Sequence, residues 1–296
     1  MNKFGIKRGM LSSIIPAIGS LKERGLSGWL VILGAAIVTS IILMTLLAPW
    51  ISPYDPTTKG VNVGAPLTPP NSKFPFGTNH LGQDMLSRVI SGGSIMLQVA
   101  FLSVAICLAI GVPVGLFSSY IGGMLDRGIC LVMDSIYAFP GLILAIAIAA
   151  MLGRGVVNMA LSIAVVYVPS YFRVVRSQVL SIKEMPYVEA ARSIGAKSST
   201  ILFKYILPNV IPSIVVVATV NFADAILTAA GLTFVGLGVE VDVPDWGWDL
   251  ANGRKLLPSG AWWVITFPGI FIILLALGFT LMGEGLSEIL NPKLGE

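Results

Sequence analysis

Six long apolar stretches, separated by shorter polar ones, organise the chain. The first runs from about Gly28 to Trp50, with Trp29 and Trp50 placed as interfacial anchors, and roughly 20 apolar residues suffice to cross a hydrocarbon core. The others fall at about Ser94 to Phe117, Gly128 to Leu152, Val156 to Phe172, Asn209 to Leu232 and Trp262 to Met282. Gly111, Pro113 and Gly115 predict a bend near the end of the second. Gly153-Arg154-Gly155 predicts a tight turn between the third and fourth. Pro140, Pro169, Pro212 and Pro268 free backbone groups inside or near spans, as flex points or as packing kinks. The expected fold is an all-α polytopic membrane protein with six transmembrane helices.

The longest polar interruption in the second half is Glu184 to Asn209, EMPYVEAARSIGAKSSTILFKYILPN. Pro186 suits the first turn of a helix, where its missing N–H is unpaired anyway. Tyr187, Ala190, Ala191 and Ile194 then fall at helical spacing, with Glu189, Arg192 and Ser193 on the opposite face. Gly195 supplies a stop. Ser198 or Ser199 can cap a second helix that carries Ile201, Leu202, Tyr205 and Ile206 on one side and ends before Pro208. The pattern predicts two short amphipathic helices with a glycine elbow between two spans.

Composition narrows the class. The chain of 296 residues is 55% hydrophobic and 11% charged, with mean hydropathy +0.86, too little charge for a soluble surface. The formal charge of +4 is spread over loops and is no nucleic-acid signal. If both termini are cytoplasmic, 13 of the 19 Lys and Arg lie inside and 6 outside, as positive-inside bias requires. That orientation puts the Glu184 to Asn209 stretch in the cytoplasm. Cys107 and Cys130 sit in apolar runs as small core residues, without a disulfide framework. His80 is expected to be a solvated loop residue. No metal-ligand cluster, P-loop or hydrolase motif is present, so no metal, no other cofactor, no catalytic residue and no ATP handling are expected of this chain.

Four stretches carry a family resemblance. Glu189-Ala190-Ala191, Gly195 and Leu207-Pro208 are similar to the EAA loop of bacterial ABC importer permeases. Phe76-Gly77-Thr78-Asn79-His80-Leu81-Gly82-Gln83-Asp84-Met85-Leu86-Ser87-Arg88 resembles the FGTDxLGRDxLSR segment of the C-type permeases of dipeptide, oligopeptide and nickel importers, with Gln83 where relatives usually carry Arg. Ala225 to Gly238 resembles AILxEAxLSFLGLG, with Ala229 in place of Glu. Pro244-Asp245-Trp246-Gly247 resembles the PxWG turn that follows. Tyr205 stands where relatives often carry His or Ile.

The resemblance implies a type I ABC importer permease subunit, and with it the partners. A second homologous permease would complete the translocation path for di- or oligopeptides across the cytoplasmic membrane. Two cytoplasmic ABC ATPases would dock on the coupling loop through Glu189, Ala190, Ala191, Gly195, Leu207 and Pro208, and an extracytoplasmic substrate-binding protein would deliver cargo. The layout expected is a cytoplasmic segment 1–27, a first span 28–50, an extracytoplasmic loop 51–93, a transmembrane domain 94–290 with coupling loop 181–208, and a cytoplasmic tail 291–296. Nickel or another small solute is the alternative cargo, and an ion-coupled secondary transporter the alternative mechanism. Charges inside spans are costly, which singles out Asp134 and Asp224, with Asn221 one turn before the latter. Asp134 can line a path, or pair with Arg127 or a partner loop. Asp224 can line the path and meet a peptide's amino group, or contact the second permease.

Overall fold

The computed structural model describes residues 25–57, 63–239 and 243–290. The expected terminal segments at 1–24 and 291–296 lie outside the described residues. The described chain is built of helices, with one isolated antiparallel bridge between Thr78 and Asp84. In chain order the helices are α1 Leu26–Leu46, α2 Ala48–Ile51, α3 Met85–Ile121, α4 Gly123–Tyr137, α5 Gly141–Leu152, α6 Val156–Ile182, α7 Pro186–Ser193, α8 Ser198–Phe234, α9 Trp246–Leu256 and α10 Trp263–Leu290. Five of them (α1, α3, α6, α8 and α10) are long and apolar enough to cross a membrane, and the bent pair α4–α5 makes a sixth if it is one broken span.

Five of the spans differ from the sequence expectation. The first span breaks at Leu47 rather than running to Trp50, because Pro49 follows in α2 and cannot donate to the ladder. The second begins nine residues earlier than Ser94: Asp84 caps α3, its carboxylate accepting from the Ser87 N–H at 2.9 Å and the Ser87 hydroxyl at 2.6 Å. Loop 51–93 therefore ends as helix. The third span is not one straight helix but two, turned by 91°. Pro140 has no N–H and biases Phe139 out of helical backbone. The fourth continues to Ile182 and the sixth to Leu290.

The main core lies where α1, α3, α5, α6, α8 and α10 meet, around the fully buried Met96, Val99, Ala100, Ile163, Ile226 and Leu275. Ala229 is fully buried in it. Helix pairs close tightly over small residues, as packing within lipid favours. A Cβ on Gly34 of α1 would stand 2.5 Å from the Gly278 carbonyl of α10, and one on Gly111 of α3 would stand 2.7 Å from Tyr171 of α6.

The connection between the last two spans holds the helix α9. Asp245 caps α9 by accepting from the Gly247 and Trp248 N–H groups at 2.7 and 3.1 Å. Trp246, fully buried, donates from Nε1 to the Val89 carbonyl at 2.7 Å. Its ring lies on Gly92, where a Cβ would be 2.7 Å from Trp246 Cδ1. The connection between the last two spans is thereby plugged back into α3.

Candidate functional site

The α7–α8 pair hangs from one end of the spans. Lys183 anchors it, its ammonium donating to the Ser119 carbonyl at the end of α3 at 3.3 Å. Val188 and Ala191 are buried against Ile182, Ile201, Leu202 and Ile206. Tyr187 is 44% and Ile194 83% exposed, and Ala190 between them is exposed too. The apolar stripe expected at Tyr187, Ala190, Ala191 and Ile194 thus divides. Ala191 turns inward with Val188, and the other three form an outward apolar strip with a small residue at its centre. Glu189 and Arg192 form no ion pair with each other. Both line a 360 Å³ cleft with Tyr120, Lys183 and Glu184. Burial raises the Tyr187 phenol above its ordinary pKa, so it stays neutral.

Gly195 makes the elbow at φ +80°, a backbone that side chains rarely adopt. The Ala196 N–H donates back to the Ala191 carbonyl at 3.0 Å and closes the first helix. Two expectations fail beyond it. Neither Ser198 nor Ser199 caps the second helix; Lys197 occupies the cap position, without a side-chain bond. That helix does not stop before Pro208 but passes through a π-helical turn, Ile201–Ile206, and runs on to Phe234. The widened turn sits where a proline ring would press on the carbonyl four residues back. Leu207 packs on the buried cluster of the pair, so the two-helix loop is continuous with the span above it.

Along α8, Asn221 and Thr228 face α6: Thr228 shares a 2.9 Å hydrogen bond with the Tyr167 hydroxyl. Asn221 is 5% exposed and its side chain lies toward the fully buried Tyr171 hydroxyl of α6. Asp224 lies between Asn221 and Thr228, half-buried and without a hydrogen bond or ion pair. Lower on α8, Asn209, Ser213, Val216 and Val220 line a cavity of 510 Å³ with Gln178 of α6 and Ser287 of α10. Helical spacing puts Asn209, Ser213, Val220 and Asp224 on one stripe.

Asp134 is elsewhere. It pairs at 2.8 Å with Arg173, not Arg127, on an exposed surface, and the Arg173 guanidinium lies 3.9 Å over the Tyr137 ring. Asp126, which the sequence reading passed over, holds Arg176 through three bonds of 2.7 to 3.1 Å. These two pairs bind α4 to α6 and leave Asp134 no part in the α8 stripe.

The opposite end of the spans carries a polar hub that sequence reasoning missed. Arg88 and Asp249 are each 1% exposed and pair at 2.9 Å. The Gln83 Oε1 accepts from Arg88 at 3.2 Å and from the Asn79 amide at 2.7 Å, and its Nε2 donates to the Thr57 carbonyl at 2.8 Å. His80 is only partly solvated. Its ring lies 6.1 Å from Trp248, its Nδ1 is buried without a partner, and burial lowers its pKa, so it is neutral.

Two comparisons decide what this architecture is. Residues 111–296 match the family described as binding-protein-dependent transport system inner membrane component. The chain is also 40% identical over 267 residues to the dipeptide transport system permease protein DppC of Alkalihalophilus pseudofirmus, covering 90% of this chain and 86% of the relative. The chain belongs to this family. It is a polytopic inner-membrane component of a binding-protein-dependent transport system, with the all-α permease fold. Residues 29–70 match the N-terminal transmembrane domain of oligopeptide transport permease C. A probable D,D-dipeptide transport system permease protein of Escherichia coli K12, DdpC, is 37% identical over 296 residues, covering 97% of this chain and 98% of its own. The glutathione transport system permease protein GsiD of Escherichia coli O157:H7 is 38% identical over 264 residues, covering 88% and 85%. Among solved structures, a chain from the MetNI methionine ABC transporter in inward-facing conformations shares the fold: TM-score 0.54, 21% identity, 70% of this chain and 97% of that one.

Proposed function

We propose that this permease component forms, with a second homologous permease, the path by which di- or oligopeptides enter the cell, driven by two cytoplasmic ATPases and fed by an extracytoplasmic binding protein. The observation that carries the reading is the loop built of α7 and the start of α8, which on this reading is the coupling loop. It presents an outward strip of Tyr187, Ala190 and Ile194 that stands exposed among the described residues. Such a strip on a short, anchored helix is what a protein groove accepts. Because the loop helix continues into α8, movement of a docked ATPase passes directly into the span that carries Asn221 and Asp224. Those two residues and the cavity below them form the inner part of the path, and Asp224 is the group suited to a peptide ammonium. Both termini are cytoplasmic on this reading. Peptide cargo follows from the dipeptide, D,D-dipeptide and glutathione permeases that the chain resembles.

The test is isolation of the chain from its native membrane in mild detergent, followed by reconstitution of whatever co-purifies. A second permease and P-loop ATPases should be recovered, and the assembly should import dialanine only with ATP and binding protein. Recovery of this chain alone, importing solute on an ion gradient without ATP, would overturn the assignment.

A further inference from the structure

Three cations at the end of the spans opposite the coupling loop converge on one cleft. Arg254 and Lys255 of α9 line a cavity of 360 Å³ with Phe234, Val235, Trp248 and Asn252. Arg154, in the turn between α5 and α6, lines an adjoining cavity of 60 Å³ that shares Thr233, Gly236 and Trp248 with the first. The two walls are fastened together, the Gly155 N–H donating to the Gly238 carbonyl at 3.2 Å. Among the described residues none of the three cations is in an ion pair. The acids of α9 do not neutralise them: Asp249 is taken by Arg88, and burial raises the Asp245 carboxyl to about 7.

The cleft is a built one. The Arg254 guanidinium carbon lies 4.8 Å from the centroid of the Phe234 ring, which holds the cation against the wall and leaves N–H groups for a planar oxyanion. Lys255 adds a point charge, and Phe234, Val235 and Trp248 give an apolar wall beside it. One face of α8 runs from it toward Asp224. Val235, Gly231, Leu227 and Asp224 recur every three or four residues along one face of α8. The 11 residues from Asp224 to Val235 span about 16 Å at 1.5 Å per residue. A cationic mouth thus stands over a carboxylate on one helix face.

We propose that this cleft receives the C-terminal carboxylate of the peptide cargo as it leaves the binding protein. It is the anionic half of a zwitterion reader whose cationic half is met at Asp224. The proposal rests on the peptide-permease reading. Two charges of opposite sign at separate depths discriminate a zwitterion from a cation or an anion, and a bidentate guanidinium–carboxylate contact is the strong, oriented one.

The test uses the assembled transporter in proteoliposomes with binding protein and ATP, and a dipeptide whose C-terminal residue carries a diazirine. Illumination during import should place adducts within residues 233–255. In the Arg254→Gln/Lys255→Gln variant the yield should fall about tenfold and half-saturation for import should rise about tenfold. Exchange of the two charges, Arg254→Lys/Lys255→Arg, should restore most of both. Adducts absent from 233–255 while ATP-driven import proceeds, or an unchanged yield in the double-Gln variant, would overturn the proposal. So would a double-Gln variant whose only defect is weaker capture of the binding protein, since the cations then serve protein docking. Absence of any ATP-driven dipeptide import would instead take down the peptide reading on which the proposal stands.

Discussion

At the scale of single residues, the hub at Arg88 decides whether α9 stays docked. Burying two ions costs several kcal/mol each, and their attraction repays this only when both are present. Arg88→Met leaves Asp249 buried without its partner, so about 3–5 kcal/mol of stability should be lost. Arg88→Met/Asp249→Leu, which removes both charges, should recover most of it, as read by thermal unfolding in detergent and by protease cutting near α9. Equal losses in the single and double variants would contradict this account. Asp245 adds a pH dependence. Its carboxyl titrates at about 7 in the folded chain against an ordinary 3.8, chiefly through burial. Between those values the folded chain holds a proton that the unfolded chain has released, so stability falls as pH rises from about 4 to about 7 and is level above. Its Oδ1 accepts the two cap bonds and its Oδ2 is buried without a partner, as a protonated acid would arrange them. Asp245→Asn keeps the cap acceptor and carries no titrating proton. The melting temperature of the parent should therefore drop from pH 5 to pH 8 more than that of Asp245→Asn; an equal or smaller drop would refute the assignment.

At the scale of elements, the coupling loop separates fold from partner. A Cβ added at Gly195 meets nothing within 4 Å, but the φ of +80° strains any ordinary side chain. Gly195→Asn, which tolerates left-handed backbone, should keep ATP-driven uptake within about twofold, while Gly195→Val and Glu189→Lys should abolish it. All three should insert, and Gly195→Asn and Glu189→Lys should resist thermal unfolding like the parent, since Gly195 and Glu189 are exposed, while Gly195→Val carries the local strain of the elbow. Normal uptake by Glu189→Lys and Gly195→Val would sink the docking role. The two-helix loop was legible because Pro186, the spacing of Tyr187, Ala190, Ala191 and Ile194, and Gly195 act through local backbone. The continuation of its second helix through Pro208 was not, because proline reads locally as a stop and only the π-helical turn at Ile201–Ile206 lets the ladder pass. The spans were legible for the same local reason: twenty apolar residues have one use. Helix α9 was not, since its anchor, Trp246 on Gly92, joins residues far apart in the chain. The same holds for Arg88 and Asp249, separated by 161 positions. Asp134 was picked by its place in an apolar run, and what fixed its partner was the bend at Pro140. That bend turns α4 across α6 and sets Asp134 against Arg173 and Asp126 against Arg176.

At the scale of the whole molecule, both proposals depend on which end of the bundle faces the cytoplasm. The geometry places the coupling loop and the Arg154–Arg254–Lys255 cleft at opposite ends, because α8 runs its full length between them. A thiol label that cannot cross the membrane reads the orientation directly. The background needs Cys130→Ser and Cys107→Ala, the latter a small residue for a small buried one. In that background Arg154→Cys should label in intact cells, and Ser199→Cys, exposed beside the elbow, only after the membrane is opened. Adding the partner ATPases to opened membranes should then slow labelling at Ser199→Cys and leave Arg154→Cys unchanged. The reverse order of labelling would put the coupling loop outside, where no ATPase works. It would remove the docking assignment and the carboxylate mouth together, since each is argued from the side of the membrane it faces.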